Sequence, residues 1–140
     1  MICLLSLIPL IFSTSGRDYK KVQLVVNQIV EPGDVIIGYQ LYWFGLMDHQ
    51  YLSWENLVFY RREYPGSNLE DAFRSFEPDI FIRYSGMNEF VIDEEDDRNY
   101  QKGFRIPKSE LESFLDEYTE IIATIEDGSG SPLLIYRVFW

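Results

Sequence analysis

Cysteine, histidine and positive charge are all scarce in this 140-residue chain, and each shortage removes a class of function. The single cysteine, Cys3, can close no intrachain disulfide and supports no cysteine-based metal site. The single histidine, His49, excludes a histidine-rich zinc centre. It also has no evident nucleophile to activate. Cys3 lies in an apolar run, and nearby Ser53 sits in no Gly-x-Ser-x-Gly elbow. Lys and Arg number 12 against 23 Asp and Glu, a formal net charge of −11. A nucleic-acid backbone or an anionic lipid surface would be repelled overall, so no nucleic-acid partner is expected. Asn-x-Ser/Thr acceptors are missing, as are the Gly-x-Gly-x-x-Gly turn and the Walker-type loop. The first strand candidate is followed instead by Gly38-Tyr39-Gln40-Leu41-Tyr42-Trp43. Rings of that size obstruct the close approach of a pyrophosphate to backbone N–H groups. No cofactor is expected, and no catalytic centre or metal site can be read.

Long hydrophobic runs are missing too. Ile2 to Phe12 (ICLLSLIPLIF) carries no charge, yet it falls well short of the roughly 20 apolar residues that span a bilayer. Three readings of it stay open. It is the core of a signal peptide cut near Ser13-Thr14-Ser15, although a basic leader is lacking. It is a buried element of the domain, interrupted by Pro9. Or it is the end of a transmembrane helix, making residues 1–16 a membrane attachment and residues 17–140 the domain. Arg17, Lys20 and Lys21 follow, and the positive-inside rule would set such a flank on the cytoplasmic side.

What the chain does have is bulk. Apolar residues make up 46% of it, with ten Phe, ten Tyr and three Trp, enough for one globular core. Val22, Val25, Val26 and Ile29 follow i, i+3, i+4, i+7, the stripe of an amphipathic helix, with Asp18 as N-cap. Glu31-Pro32-Gly33-Asp34 stops that helix, and Val35–Tyr39 reads as a strand covered on both faces. The grammar repeats with Leu69, Ala72, Phe73 and Phe76, capped by Ser67 or Asn68 and stopped by Glu77-Pro78-Asp79 before the strand Ile80–Tyr84. A third unit opens with a Ser109-x-x-Glu112 capping box. Its stripe runs through Leu111, Phe114, Leu115, Tyr118, Ile122 and Ile125, and the strand Leu133–Val138 closes the chain. Between the first two units, Leu41–Met47 reads as a short helix and Asn56–Tyr60 as a further strand. Ser85–Ile106 reads as an irregular excursion, whose acidic run Asp93–Asp97 lacks EF-hand spacing and is expected to be a solvated loop.

Helix-then-strand units in series predict an α/β fold: a small three-layer sandwich with a mainly parallel sheet of about four strands. The first strand is expected beside both the second and the third. In open parallel sheets a ligand sits at the carboxyl ends of the strands, where the strand order reverses. That rule gathers Gly38, Tyr39 and Gln40 with Tyr84, Ser85 and Gly86 as a candidate crevice, suited to a sugar or an acceptor peptide. The plainer reading, and the preferred one, is that these residues only end their strands.

The order of these segments resembles the C-terminal soluble domain of polytopic, lipid-phosphosugar-dependent glycosyltransferases of the dolichyl- or polyprenyl-phosphate mannosyltransferase and aminoarabinose transferase type. The matching features are the apolar Ile2–Phe12, the helix Val22–Val30 and Pro32-Gly33-Asp34-Val35-Ile36-Ile37. Asn56–Tyr60, Leu69-Glu70-Asp71-Ala72 through Pro78-Asp79-Ile80-Phe81-Ile82, and Leu134-Ile135-Tyr136-Arg137-Val138 complete them. The resemblance spans nearly the whole chain. It implies a compact α/β domain on the far side of the membrane from the cytoplasm, joined to the transmembrane part of the enzyme. That side runs against the basic flank at Arg17, Lys20 and Lys21; a single flank does not set orientation in a many-helix protein. In that family the catalytic acidic residues lie in the membrane region, so the resemblance assigns no catalytic residue here.

Overall fold

The computed structural model describes residues 19–84, 86–87, 90–92, 105–126 and 131–140. The apolar run Ile2–Phe12, the proposed cap Asp18, the acidic run Asp93–Asp97 and the crevice candidate Ser85 lie outside the described residues.

The described chain runs through helix α1 (Tyr19–Ile29), strand β1 (Val35–Gly38), a 3-10 segment (Gln40–Gly45) and β2 (Gln50–Ser53). Helices α2 (Glu55–Glu63) and α3 (Leu69–Phe76) then lead to β3 (Ile80–Arg83). Two short strands, β4 (Val91–Ile92) and β5 (Ile106–Pro107), pair parallel with each other. Helix α4 (Lys108–Tyr118) passes directly into β6 (Thr119–Ile125), and β7 (Leu133–Val138) follows. The result is a mixed α/β fold around a five-stranded sheet of order β2-β1-β3-β7-β6.

Strand β1 lies between two parallel partners; β3 is the one expected there, whereas β2 is not the strand read from sequence. The sheet as a whole is mixed rather than mainly parallel, because β7 runs antiparallel to β3 and β6 antiparallel to β7. Three of the expected elements are corrected. Asn56–Tyr60 is helical, within α2, and the strand beside β1 is the earlier Gln50–Ser53. The sequence of α2 suits a helix: Glu55 stands in its first turn and Arg61 and Arg62 in its last, matching the helix dipole at both ends. Its Leu57 and Val58 are buried. The third helix stops at Tyr118, and Ile122 and Ile125 belong to β6. Nor does Ser109 cap it: the helix starts one residue earlier, with Pro107 at the N-cap and no side-chain capping bond.

The two Pro-containing stops do more than end helices. Gly33 adopts a positive φ of 100°, which its missing Cβ permits, and turns the chain into β1. Asp34 accepts from the Glu31 N–H at 2.9 Å and pairs with Arg137 at 3.0 Å. Arg137 also donates to the Ile29 carbonyl at 3.0 Å, fastening the end of α1 to β7. At the second stop, the Asp79 carboxylate accepts from the Val35 N–H at 2.8 Å, while the Asp79 N–H donates to the Val35 carbonyl. A helix stop thus pins the entry of the neighbouring parallel strand. Of the two caps offered by the sequence for α3, Asn68 serves, and it forms a capping box with Asp71 as its reciprocal partner.

Both sides of the central strands are covered. Ile36, Ile37, Ile80, Phe81 and Ile82 are fully buried. Phe81 meets the edge of Phe73 from α3, and Phe73 stacks on Phe114 from α4 at 3.9 Å between centroids. Residues of alternate parity face the other way, where Arg137 reaches α1. In α1, Val22 and Val26 are buried and Val25 and Ile29 pack against the core, the stripe read from sequence.

Candidate functional site

The carboxyl ends of β1, β2 and β3 lie side by side, because the three strands run parallel in the order β2-β1-β3. The chain leaves β1 towards β2, whereas β3 lies on the other flank of β1. That reversal defines a switch point between β1 and β3. Here the structure brings together two of the strand-end residues selected from sequence, Tyr39 and Tyr84. Tyr39 follows β1, Tyr84 follows β3, and their rings stack at 4.2 Å and 24°. Tyr42, from the 3-10 segment, meets Tyr39 edge-on at 6.0 Å. Tyr84 and Tyr42 are buried, whereas Tyr39 keeps partial exposure and is the ring a ligand could reach.

The two glycines are the packing partners of these tyrosines. A Cβ at Gly38 would run into the Tyr51 hydroxyl and lie 3.1 Å from the Ile82 Cβ. One at Gly86 would run into the Tyr84 ring. Their smallness lets aromatic side chains close over the strand ends, which neither periodicity nor composition could reveal. The Tyr51 hydroxyl, set over Gly38, donates to the Tyr39 carbonyl at 2.8 Å. Burial raises the Tyr51 phenol above its ordinary range, and the neighbouring Tyr42 and Glu55 push the same way. The group is a neutral donor that holds the backbone under Tyr39. Gln40 is exposed, and its side-chain amide faces the Glu55 carboxylate, to which its nitrogen can donate once the amide is turned over.

Sequence reasoning missed the contribution of β2. Ser53, in register with Gly38, and the adjacent Trp54 place the Ser53 Oγ and the Trp54 indole N–H in the interior, with no hydrogen-bond partner among the described residues. The Trp54 N–H of the backbone donates to the Gly38 carbonyl at 2.9 Å, which ties this pair to the end of β1. Phe90 covers the indole at 4.8 Å between centroids. With Asn56–Tyr60 taken as the strand, the residues just before it had no reason to stand beside Gly38.

A second feature is an open hollow of about 340 Å³ between the start of α3 and α4. The carboxylates of Glu70, Glu110 and Glu117 and the rings of Phe114 and Tyr118 line it. Two of those carboxylates already serve the fold. Glu110 accepts from the Leu69 N–H at 2.8 Å and from Arg61 at 3.3 Å, and Glu70 pairs with Arg74 at 2.7 Å. His49 lies in the turn before β2, partly exposed. Among the described residues, no group of three or more His, Cys, Asp or Glu side chains is arranged to hold a metal ion. Nor is any helix among them long and apolar enough to cross a membrane. Comparison with family models, with curated proteins and with solved structures returns no match to this chain.

Proposed function

We propose that this chain is a non-catalytic, extracytoplasmic accessory domain of a membrane glycosyltransferase, which uses the strand-end crevice to hold part of the acceptor or of the sugar donor. The observation that carries the reading is the Tyr39–Tyr84 stack at the switch point of the sheet. Binding sites for small polar molecules join aromatic walls to a few placed polar groups. The partly exposed Tyr39 ring is the wall a ligand can reach. The Ser53 hydroxyl and Trp54 indole N–H lie buried behind the end of β1 without a hydrogen-bond partner among the described residues, and would serve a ligand only where Phe90 moves aside. A sugar or a peptide carbonyl offers the acceptors an indole N–H requires. Support for the setting comes from the apolar Ile2–Phe12 ahead of α1 and from the resemblance in segment order. The compact α/β domain that this resemblance implies is compatible with the mixed α/β fold.

Two measurements test it. In a titration of the isotope-labelled chain with soluble analogues of a polyprenyl-phosphate sugar and with acceptor peptides, amide shifts should move at Gly38, Tyr39, Ser53, Trp54 and Gly86. Shifts confined to the hollow around Glu110, or none at millimolar ligand, would overturn the binding role. Alkaline phosphatase fused after Trp140 should be active in cells, since it folds only outside the cytoplasm; a silent fusion at normal expression overturns the location.

A further inference from the structure

Helix α1, the 3-10 segment beside it and the turn that follows expose apolar side chains that the crevice does not use. Leu24 on α1 is 65% exposed, Trp43 in the 3-10 segment 45% and Met47 in the turn 62%. Leu24 lies on the side of α1 away from Val22 and Val26, in line with the exposed Lys20 one turn earlier. The 3-10 segment lies along the same helix, for a Cβ at its Gly45 would sit 3.1 Å from the Gln23 side chain. The other large exposed apolar side chains stand on different elements, from Phe59 on α2 to Ile121 on β6.

We infer that this outer side of the α1 and 3-10 layer is a lipid-facing surface, seated on the bilayer that takes up the apolar run Ile2–Phe12. The inference rests on the membrane setting proposed above and adds which face of the domain meets the membrane. The covalent tether supports a lipid occupant. Only residues 13–18 separate Phe12 from α1, and at about 3.5 Å per residue they reach roughly 20–25 Å. Wherever the apolar run is buried, the first turn of α1 is held close by, so a weak patch acts at a high effective concentration. The chemistry of the patch fits as well. Tryptophan favours the headgroup boundary, Leu and Met supply the part that enters the acyl region, and a lysine beside them can reach the phosphates. A net charge of −11 argues against a patch that works by charge, so a zwitterionic surface suffices.

Nitroxide labels test this in the full chain bound to phosphatidylcholine vesicles. In a Cys3→Ser background, labels placed by Leu24→Cys and Met47→Cys should become several-fold more accessible to oxygen than to a water-soluble nickel chelate when vesicles are added. A label placed by Ser75→Cys, at an exposed position of α3, should stay unchanged. All three are exposed sites, so the fold tolerates the labels. The native Cys3, labelled in the unaltered chain, reports the apolar run itself. If Cys3 is immersed while positions 24 and 47 behave like 75, the inference falls, the membrane setting stands, and the patch belongs to a protein partner. If none of the four is immersed, inference and membrane setting fall together. Immersion at 24 and 47 alongside a silent phosphatase fusion keeps the lipid-facing surface and removes only the extracytoplasmic location.

Discussion

The two halves of the sheet are built on different terms. In the parallel half, β1 and β3 are four residues each and almost wholly buried, and β2 flanks them. In the antiparallel half, β6 and β7 are seven and six residues long, and β6 forms an edge with most of its side chains partly or fully exposed. Parallel neighbours require crossover connections, which set helices over the faces and bring all the carboxyl ends to one side. Antiparallel neighbours need only a turn and leave an edge open. A bulge between Ile121 and Ala123 shifts the register of that edge, a device that disfavours pairing with another strand. The candidate crevice belongs to the parallel half because only there do strand ends converge. The antiparallel half extends the core and carries Arg137 to α1.

The sharpest way to break that comparison is to make one substitution in both halves. Ile37→Ala in β1 removes a fully buried side chain, and a loss of about 2–5 kcal/mol is expected. Ile121→Ala in β6 alters a side chain that is 52% exposed and should cost no more than about 0.5 kcal/mol. Urea unfolding midpoints read both. Similar losses at the two positions would mean that β6 is covered by something outside the described residues, and the contrast between the halves would fail.

Next in size is Gly38→Ala, which tests how tightly the crevice is closed. The new methyl meets the Tyr51 hydroxyl and the Ile82 side chain, and forcing it in should cost about 1–3 kcal/mol. The circular dichroism of the stacked Tyr39–Tyr84 pair in the near ultraviolet should weaken with it. An unaltered midpoint and spectrum would show that Tyr51 swings away freely and that Gly38 does not shape the site.

Smaller again is Asn68→Ala. The crossover from β2 to β3 depends on α3, whose capping box joins Asn68 and Asp71 through bonds of 2.8 and 2.9 Å. Losing the cap should cost about 1 kcal/mol, seen as a lower thermal midpoint. The sheet register and the ligand-induced shifts at Gly38 and Tyr39 should persist. A change in those shifts would tie the crevice to the crossover helix.

The contrast also explains what could be read in the sequence. The buried strands β1 and β3 are short apolar runs behind Pro-containing stops, as is β7 behind Pro132, so these strands and the strand-end tyrosines were legible. The half-exposed β6 was not. Tyr118, Ile122 and Ile125 continue the helical spacing of Leu111, Phe114 and Leu115, and no Gly or Pro marks the change from helix to strand at Thr119. Local preference also pointed the wrong way at Asn56–Tyr60. β-branched and aromatic residues suit strands, yet β2 and β3 lie parallel on opposite flanks of β1, the crossover between them sets a helix at that point, and tertiary packing decided it. Of the crevice, Tyr39 and Tyr84 were visible as strand ends. Ser53 and Trp54 were not, because their place beside Gly38 follows from a register that no pattern in β2 announces.

The last expected effect, similar in size to the cap at neutral pH, concerns Tyr51 and depends on pH. Tyr51→Phe loses the bond to the Tyr39 carbonyl, and at neutral pH it should be less stable than the unaltered chain by about 0.5–1.5 kcal/mol. The phenol is held above its ordinary value by burial first, then by Tyr42 and Glu55, so the folded state keeps its proton where the unfolded chain releases it. Below about pH 10 both states are protonated and this group adds no pH dependence. Above it the unfolded state gains by ionising, and the unaltered chain should lose up to about 1.4 kcal/mol per pH unit that the Phe variant does not. The advantage of the unaltered chain should therefore shrink above pH 10 and then reverse. Parallel unfolding midpoints of the two proteins between pH 7 and 11 decide it, because the other tyrosines and lysines contribute equally to both. A gap that stays constant across that range would mean that water reaches the Tyr51 hydroxyl, and that the parallel half is no better sealed at its strand ends than the open edge of β6.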